Sequence, residues 1–255
     1  RKVPIAGTVS PAGSDSGTHV DAVFDMSAAF TSDGTNILSC DYCLSLDGNC
    51  DTEWASATFS APGTTSGACS VSGLTCSDGD SLTLNMRAVN ALYRTGYGSA
   101  VSRTCDDTAP ATTDDWPDDN WTNTSPLVVT LTPADTGGSG VRDTFYCIDT
   151  SNTCTPSTSG VQPSATCAAD TVCTQYLRYF SRDNVDNDEE PISKRIRQDM
   201  KSPECDIETP IDYAIIDGGA DITGFATDEN FHEYAVYYGI GTEPTQWSEI
   251  VATST

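Results

Sequence analysis

Carboxylates are the side chains whose spacing best fits a chemical task, and that task is calcium binding. The run Asp183-Asn-Val-Asp-Asn-Asp-Glu-Glu190 places seven oxygen-bearing side chains in eight positions at a strand end. Ca²⁺ takes oxygen ligands that converge from loops, although the glycine and spaced glutamate of an EF-hand are absent. We also expect linker acids to converge with Asp135 on an interdomain ion. The predicted ligands are Asp106, Asp107, Asp135, Asp183, Asp186 and Asp188; a solvated acidic turn is the alternative.

The spacing of the cysteines in the first part of the chain is repeated about a hundred residues later. Positions symmetric about a hairpin turn lie opposite one another, within reach of a disulfide. Cys40 and Cys105 have no counterpart in the second copy, and we predict that they pair with each other. The repeat indicates tandem copies of one fold, made where thiols are oxidised. The remaining predicted pairs are Cys43–Cys50 and Cys69–Cys76, then Cys147–Cys154 and Cys167–Cys173.

Zinc is the competing explanation for the cysteines. Only Cys40-x2-Cys43 has the spacing of a zinc knuckle, and no second knuckle matches it. The two histidines, His19 and His232, are distant from it in sequence. Disulfides therefore explain the cysteines better. Because eleven is an odd number, one thiol is left over, and Cys205 is the predicted one.

The sequence predicts no enzyme. No nucleophile elbow, zinc-protease pair, phosphate loop or dinucleotide fingerprint is present. A Ser-His-Asp arrangement would need His19 or His232, and both are predicted to be surface histidines. A carboxylate pair for sugar hydrolysis has too many candidates among 37 acidic residues to count as a signal.

Two adjacent acceptor patterns predict N-glycosylation. They are Asn120-Trp-Thr122 and Asn123-Thr-Ser125, so the predicted glycan sites are Asn120 and Asn123. Trp116 and Trp121 flank this loop, where they either stack on sugars or cap the end of a sandwich.

The net charge of −25 limits the classes of partner that this chain can bind. Twelve basic residues against 37 acidic ones cannot neutralise phosphates, which argues against nucleic-acid binding. The charge also repels anionic membranes, and no apolar run is long enough to insert into one. Because the chain opens at Arg1 without methionine or signal peptide, we expect a mature or excised fragment.

Strands and turns are the predicted elements. Apolar residues make up 37% of the chain, which suits thin β-sandwiches, and no stretch keeps a 3.6-residue apolar period. We predict domains at 1–105, 106–200 and 201–255. The first has strands at His19–Met26, Ile37–Leu46, Thr52–Phe59 and Ser81–Asn90; the second at Leu127–Thr132, Thr144–Ile148, Tyr176–Phe180 and Ile192–Arg197; the third at Ala220–Ala226, Tyr234–Gly239 and Trp247–Val251.

The third domain is small for a closed sandwich. We therefore expect it to be cut short or completed by strands from elsewhere. Cys205 would then lack a partner because that partner lies beyond residue 255.

Five segments agree in order with a known repeat: Asp107-Thr-Ala-Pro, Val128-Val-Thr-Leu-Thr, Asp135-Thr-Gly-Gly-Ser-Gly-Val141, Thr144-Phe-Tyr-Cys-Ile-Asp149 and Tyr176-Leu-Arg-Tyr-Phe-Ser-Arg-Asp-Asn184. They resemble the immunoglobulin-like repeat of prokaryotic surface proteins and of accessory regions of secreted hydrolases. The sequence departs from it at Asp186-Asn187-Asp188, where Gly-Asn is usual, and in its cysteines. The first domain looks like a diverged fibronectin-III or immunoglobulin-like relative, and the third is similar to another extracellular β-sandwich repeat.

The resemblance implies scaffolding or adhesion and transfers no catalytic residues. The predicted fold is all-β, with tandem immunoglobulin-like β-sandwiches stapled by disulfides. The predicted function is a non-enzymatic, secreted or surface-anchored module of a stalk, surface layer, filament or adhesin. It assembles with other copies or neighbouring domains by strand addition. The alternatives are accessory domains of a secreted protease or glycosidase, and a carbohydrate-binding module that uses Trp116, Trp121 or Trp247.

Overall fold

The computed structural model describes residues 3–12, 15–50 and 54–254, and these form an all-β protein without helices. None of these residues therefore belongs to a helix long and apolar enough to cross a membrane. The predicted all-β class is confirmed. The predicted strand Thr52–Phe59 begins outside the described ranges, and its described part is Ala55–Phe59.

The strand bounds follow the chain. In the first hundred residues they are Pro4–Ala6 (β1), Ser10–Ala12 (β2), His19–Val20 (β3), Val23–Ser32 (β4), Ile37–Ser45 (β5), Ala55–Phe59 (β6), Ser66–Thr75 (β7), Ser81–Asn90 (β8), Thr95–Tyr97 (β9) and Val101–Cys105 (β10). Next come Ala111–Asp114 (β11), Trp121–Thr122 (β12), Leu127–Val128 (β13), Leu131–Ala134 (β14), Val141–Asp149 (β15), Thr158–Ser159 (β16), Ser164–Ala165 (β17), Val172–Asp183 (β18) and Ile192–Asp199 (β19). The last are Glu204–Thr209 (β20), Thr223–Thr227 (β21), Glu233–Tyr238 (β22) and Ser248–Ser254 (β23).

Strand β6 joins the two layers of the first sandwich. Its first half pairs with β5, where Ala57 lies opposite Cys40, and its second half pairs with β7, where Phe59 lies opposite Cys69. One layer contains β1, β2, β4 and β7, and the other contains β3, β5, β8, β9 and β10. The chain thus switches sheets within one short strand.

The core between these layers is built from strands in which buried and more exposed side chains alternate strictly. Strand β8 buries every second side chain because successive residues point to opposite faces of a sheet. Strand β4 does the same from the facing layer. The core side chains of these two strands are Leu82, Leu84, Met86 and Ala88, and Phe24, Met26, Ala28 and Phe30.

Two disulfides tie the layers of the first sandwich together. Cys40 of β5 is bonded to Cys69 of β7, and Cys76 after β7 is bonded to Cys105 at the end of β10. The predicted pairs Cys69–Cys76 and Cys40–Cys105 are therefore wrong. The sulfurs bridge opposite sheets here rather than positions across one hairpin.

The reason is that Ser72-Gly73 does not form a hairpin turn. Strand β7 runs unbroken through it, paired with β4, and Gly73 adopts a φ of 70° at an irregularity in the register. Seven residues of extended strand span about 23 Å, far beyond the reach of a disulfide. The glycine marks a bulge, where a positive φ lets one strand accommodate an extra residue.

The three remaining disulfides are local, as the repeated frame predicts. They join Cys43 to Cys50, Cys147 to Cys154, and Cys167 to Cys173. Both members of the single zinc-like spacing, Cys40 and Cys43, are used in disulfides. Cys205 carries a free, exposed thiol.

Residues 111–199 build the second sandwich. Strands β12-β19-β18-β15-β16 form a five-stranded sheet in that order, and β11 pairs with β14. Strand β11 lies over the buried face of β18, because the Tyr179 hydroxyl donates to Asp114 Oδ2 at 2.6 Å and Thr112 shares a 2.6 Å hydrogen bond with Ser181. The predicted tandem immunoglobulin-like β-sandwich architecture is confirmed.

The predicted strand Leu127–Thr132 is wrong as a single element. Strand β13 pairs with β17, whereas β14 pairs with β11. Between them the Val129 N–H donates to the Pro163 carbonyl at 3.0 Å, and the Thr130 N–H donates to Asp115 Oδ1 at 2.7 Å. These bonds satisfy the backbone where the chain leaves one sheet for another.

Residues 201–253 form two separate ribbons, β20 with β21 and β22 with β23. No side chain in this segment is buried. Large apolar residues stay exposed instead, among them Ile207, Phe225, Tyr237 and Trp247. A two-stranded ribbon without a core is only marginally stable in water.

By its internal contacts the chain divides into two compact units. Unit 1 comprises residues 1–117, 128–163 and 176–194, and unit 2 comprises 118–127, 164–175 and 195–255. The domain boundaries predicted at residues 105/106 and 200/201 stay predictions.

Candidate metal centre

Three buried or half-buried carboxylates converge in unit 1. Each of Asp106, Asp135 and Asp183 offers one oxygen, and these oxygens lie within 4.8 Å of one another. Asp106 and Asp183 have no exposed surface. The structure thus brings together three of the six aspartates predicted as calcium ligands, drawn from the linker, from the loop after β14 and from the end of β18.

Asp106 fixes the exit from the first sandwich. It follows the last residue of β10, and its N–H donates to the Val20 carbonyl at 2.9 Å. Its Oδ1 accepts from the Thr108 N–H at 3.3 Å, and its Oδ2 accepts from the Ser139 N–H at 2.9 Å. The carboxylate therefore connects the linker to a loop of the second sandwich.

Asp135 and Asp183 are positioned by turns. Asp135 Oδ1 accepts from the Gly137 N–H at 2.9 Å, and its Oδ2 accepts from the Gly140 N–H at 2.6 Å. Asp183 Oδ1 accepts from the Asn187 N–H at 2.8 Å, and its Oδ2 accepts from the Asn187 amide at 2.8 Å. Aspartate side chains at turns commonly bond the backbone a few residues onward, and here these bonds hold both carboxylates in one orientation.

The glycines of the loop after β14 are required by this arrangement. A Cβ on Gly137 would lie 2.1 Å from Asp106 Oδ1, so a larger residue would displace the carboxylate. Gly138 and Gly140 have φ values of 108° and 87°, which other residues rarely adopt. The motif Asp135-Thr-Gly-Gly-Ser-Gly140 thus lets the loop wrap closely around a buried acid.

The other three predicted ligands lie outside the cluster. Asp107 is exposed. Asp186 accepts a hydrogen bond from Arg142 Nη2 at 2.5 Å, and Asp188 forms an ion pair with Arg182. Both guanidinium groups compete with a metal for these carboxylates. Arg142 lies 44 residues before Asp186, so the sequence gave no reason to pair them, whereas Arg182 immediately precedes the acidic run and its pairing was overlooked.

Asp21, which the sequence analysis did not single out, adds negative charge near the cluster. Burial raises the pKa of Asp21 above its ordinary value of 3.8, and the nearby charges of Asp107, Asp183 and Asp186 raise it further, while a hydrogen bond from the Ala22 N–H opposes the rise. No motif marks Asp21, because only the fold brings it close to the acidic run.

The donor set fits a hard cation. The three groups supply only carboxylate oxygens, which suit Ca²⁺ or Mg²⁺ better than zinc, whose sites are rich in histidine and cysteine. Ca²⁺ takes about six to eight oxygens, so three carboxylates leave places for carbonyl groups or water. A trapped cation would also offset the repulsion among the buried charges.

The remaining predicted positions are the two glycan acceptors and three tryptophans. Asn120 and Asn123 are exposed, and their glycosylation stays a prediction. Trp116 and Trp121 are half-buried, whereas Trp247 is 61% exposed.

Solved structures of low sequence identity resemble this chain. Fibronectin(III)-like modules of Clostridium thermocellum CbhA share 15% identity at a TM-score of 0.43, over 76% of this chain and 94% of that one. The FN1-FN3 domains of chicken CNTN1 share 9% sequence identity at a TM-score of 0.27, and the match covers 98% of this chain and 86% of that one. A chimeric titin Z1Z2-Z1Z2 tandem carrying a GRGDS peptide shares 10% sequence identity at a TM-score of 0.23, and the match covers 78% of this chain and 97% of that one.

No protein-family model matches the chain, and no curated protein matches it either. The neighbours are fibronectin-III-like and immunoglobulin-like modules, as the sequence resemblance predicted, while a prokaryotic surface origin stays a prediction.

Proposed function

We propose that this chain is a non-enzymatic structural module of an extracellular or surface-anchored protein, such as a stalk, surface layer, filament or adhesin. Its five disulfides are typical of proteins that fold in an oxidising compartment. The observation that carries the proposal is the joint at Asp106, where two consecutive sandwiches are bound to each other within a few residues of linker.

Both sides of the joint are anchored by hydrogen bonds. The Asp107 N–H donates to Asp78 Oδ1 at 3.1 Å, which holds the linker to the first sandwich. The Asn187 amide donates to the Asp106 carbonyl at 3.0 Å, which holds it to the second. A short linker with bonded backbone groups restricts rotation between modules, as a load-carrying scaffold requires.

We further propose that Ca²⁺ occupies the cluster of Asp106, Asp135 and Asp183 and stiffens this joint. The ligands come from the linker and from two loops of the second sandwich, so a bound ion would cross-link all three segments. Calorimetry after EDTA treatment tests this directly. Heat of binding and a raised melting temperature support a calcium joint, and the lack of both ends that part of the proposal.

Relaxation of backbone ¹⁵N nuclei tests the structural role itself. If the joint is rigid, amides of residues 4–105 and those of the second sandwich in unit 1 report one common rotational diffusion tensor. Two independent tensors, with or without calcium, would show a flexible linker and contradict the scaffold role.

The ribbons of residues 201–253 motivate a proposal about assembly. Strands β20 to β23 are paired only two by two, and residues 201–253 bury no side chain. A strand from a second copy would supply the missing hydrogen bonds and cover apolar groups such as Phe225 and Tyr237. Light scattering after size exclusion tests this, because strand addition predicts a mass that rises with concentration and a monomer at every concentration contradicts it.

A further inference from the structure

A groove of about 290 Å³ lies within unit 2. Trp121 of β12 lines one part of it, and Asp199 at the end of β19 and Asn230 after β21 line another. We propose that this groove binds a saccharide. The proposal adds a ligand site to the structural role and does not depend on it.

The aromatic part of the groove is held in place by neighbouring charged side chains. Trp121 pairs with Arg197 of β19 in a parallel register, and the Arg197 guanidinium lies 5.3 Å from the indole centroid. Asp119 accepts ion pairs from both Arg197 and Arg195, so the guanidinium is itself anchored. A fixed, half-buried indole offers a flat apolar surface on which the C–H face of a sugar ring can pack.

The polar part is equally preorganised. Asp199 Oδ1 accepts from the Lys201 N–H at 3.0 Å, and its Oδ2 accepts from the Asn230 amide at 2.6 Å. Asp228 Oδ1 accepts from the Asn230 N–H at 2.7 Å. Each carboxylate oxygen keeps a further lone pair for a hydroxyl donor, and a hydroxyl bonded to a carboxylate makes a strong, charge-assisted hydrogen bond.

This combination favours a neutral sugar over other small ligands. Phosphates and nucleotides would face the carboxylates of Asp199 and Asp228 against the single ammonium of Lys201. Among the described residues, neither aspartate belongs to a group of three ligands that could hold a metal. The volume suits about one or two sugar rings, at the small end of ligand sites in proteins.

The sugar has two potential sources. Asn123 also lines the groove, and it is the first residue of the predicted acceptor pattern Asn123-Thr-Ser125. The saccharide is therefore either a free glycan that the module captures or one attached to Asn123 that lies along the groove. Both require the same contacts with Trp121 and with the polar residues.

The first experiment uses the full chain made in a host without N-glycosylation. Titration calorimetry with cellohexaose, chitohexaose and xylohexaose measures binding of free sugar. Trp121→Ala and Asp199→Asn are each expected to weaken binding at least tenfold, whereas Trp247→Ala, an exposed tryptophan outside the groove, leaves it unchanged. Melting curves verify that the variants are folded. Binding that survives both groove substitutions overturns the proposal.

The second experiment uses chain from a glycosylating host, with Asn123→Gln as control. Intact mass shows whether Asn123 carries a glycan, and hydrogen exchange of the segment around Asp228 and Asn230 shows whether that glycan covers the groove. Slower exchange in the glycosylated chain than in Asn123→Gln assigns the groove to the attached sugar. If no free sugar binds and exchange is the same in both chains, the groove is not a saccharide site.

Discussion

Cys40 of β5 and Cys69 of β7 are bonded across the interior of the first sandwich, with their Cα atoms 6.1 Å apart. The two strands belong to opposite layers, and both cysteines are buried among core side chains. The bond therefore fixes the spacing of the layers at the point where β6 crosses from one to the other. Cys43 and Cys50, by contrast, close a loop on one strand end.

We expect the loss of the disulfide between layers to lower the free energy of unfolding more than the loss of the local disulfide. The double variant Cys40→Ala/Cys69→Ala opens a loop with a sequence separation of 29, and Cys43→Ala/Cys50→Ala opens one of 7. Chain entropy alone predicts losses of about 3.6 and about 2.4 kcal/mol in the free energy of unfolding. Urea unfolding of both variants checks this, and equal losses would show that loop length does not govern the effect.

Calcium affinity is expected to separate Asp183 from Asp186. Asp183→Asn removes one charge from the cluster yet keeps an oxygen that can accept from the Asn187 N–H, so the turn should survive. We expect Ca²⁺ affinity to fall by about tenfold or more, because one fewer negative charge faces the ion. Asp186→Asn, which alters the partner of Arg142 instead, should change affinity by less than about twofold. Equal effects in calorimetry would place the ion elsewhere.

The loop closed by Cys147 and Cys154 predicts a pH dependence. A hydrogen bond from the Thr153 N–H, with others from the Ser151 hydroxyl and two further backbone N–H groups, lowers the pKa of Asp149 to about 2 from 3.8. Because the folded pKa lies below the unfolded one, the stabilisation is fully present above about pH 4 and is lost as pH falls toward 2.

Asp149→Asn tests this with urea unfolding between pH 2 and pH 6. The variant should be less stable than the parent at pH 6, and the difference should shrink as pH falls through that window. Asp217→Asn, at an exposed position between β20 and β21, serves as the control. A difference that does not change with pH would mean that the Asp149 charge does not stabilise the loop.

Glu189 and Glu190 form a matched pair of neighbours with opposite roles. Glu189 accepts from the Thr112 N–H at 2.7 Å, from the Thr112 hydroxyl at 2.6 Å and from the Ser181 N–H at 3.0 Å, whereas Glu190 is exposed. Glu189→Ala leaves the N–H groups of Thr112 and Ser181 without this partner, although the Thr112 hydroxyl keeps its hydrogen bond with Ser181, and should cost about 3 kcal/mol. Glu190→Ala should stay within about 0.5 kcal/mol. Thermal or urea unfolding of both variants measures these losses. Similar small losses would show that the hydrogen bonds of Glu189 do not stabilise the fold.

The sequence predicts those parts of the fold that depend on local patterns. The alternation in Leu82–Val89 is visible in the chain, and β8 follows it. The seven-residue spacing of Cys147 and Cys154 indicates a bridge within one loop. Asp183 could be chosen as a ligand because it ends a strand and begins an acidic run.

What sequence could not predict depends on contacts between distant segments. Ser72-Gly73 is a turn signal in isolation, but pairing with β4 keeps the strand continuous, and the glycine forms a bulge. Leu127–Thr132 has the composition of one strand, yet Asp115 and Pro163 draw its middle away from either sheet. Asp21 joins the acidic surroundings only because β3 and β4 lie beside the linker.

Two successive loops in the first sandwich, each closed by a disulfide, limit how far the unfolded chain can be extended. Each spans 29 residues, so a force applied at the two ends of the polypeptide cannot straighten about 100 Å of contour length in either loop, even after the sandwich has opened. A tether made of such modules has a capped reach under load, and a reducing agent would lengthen it.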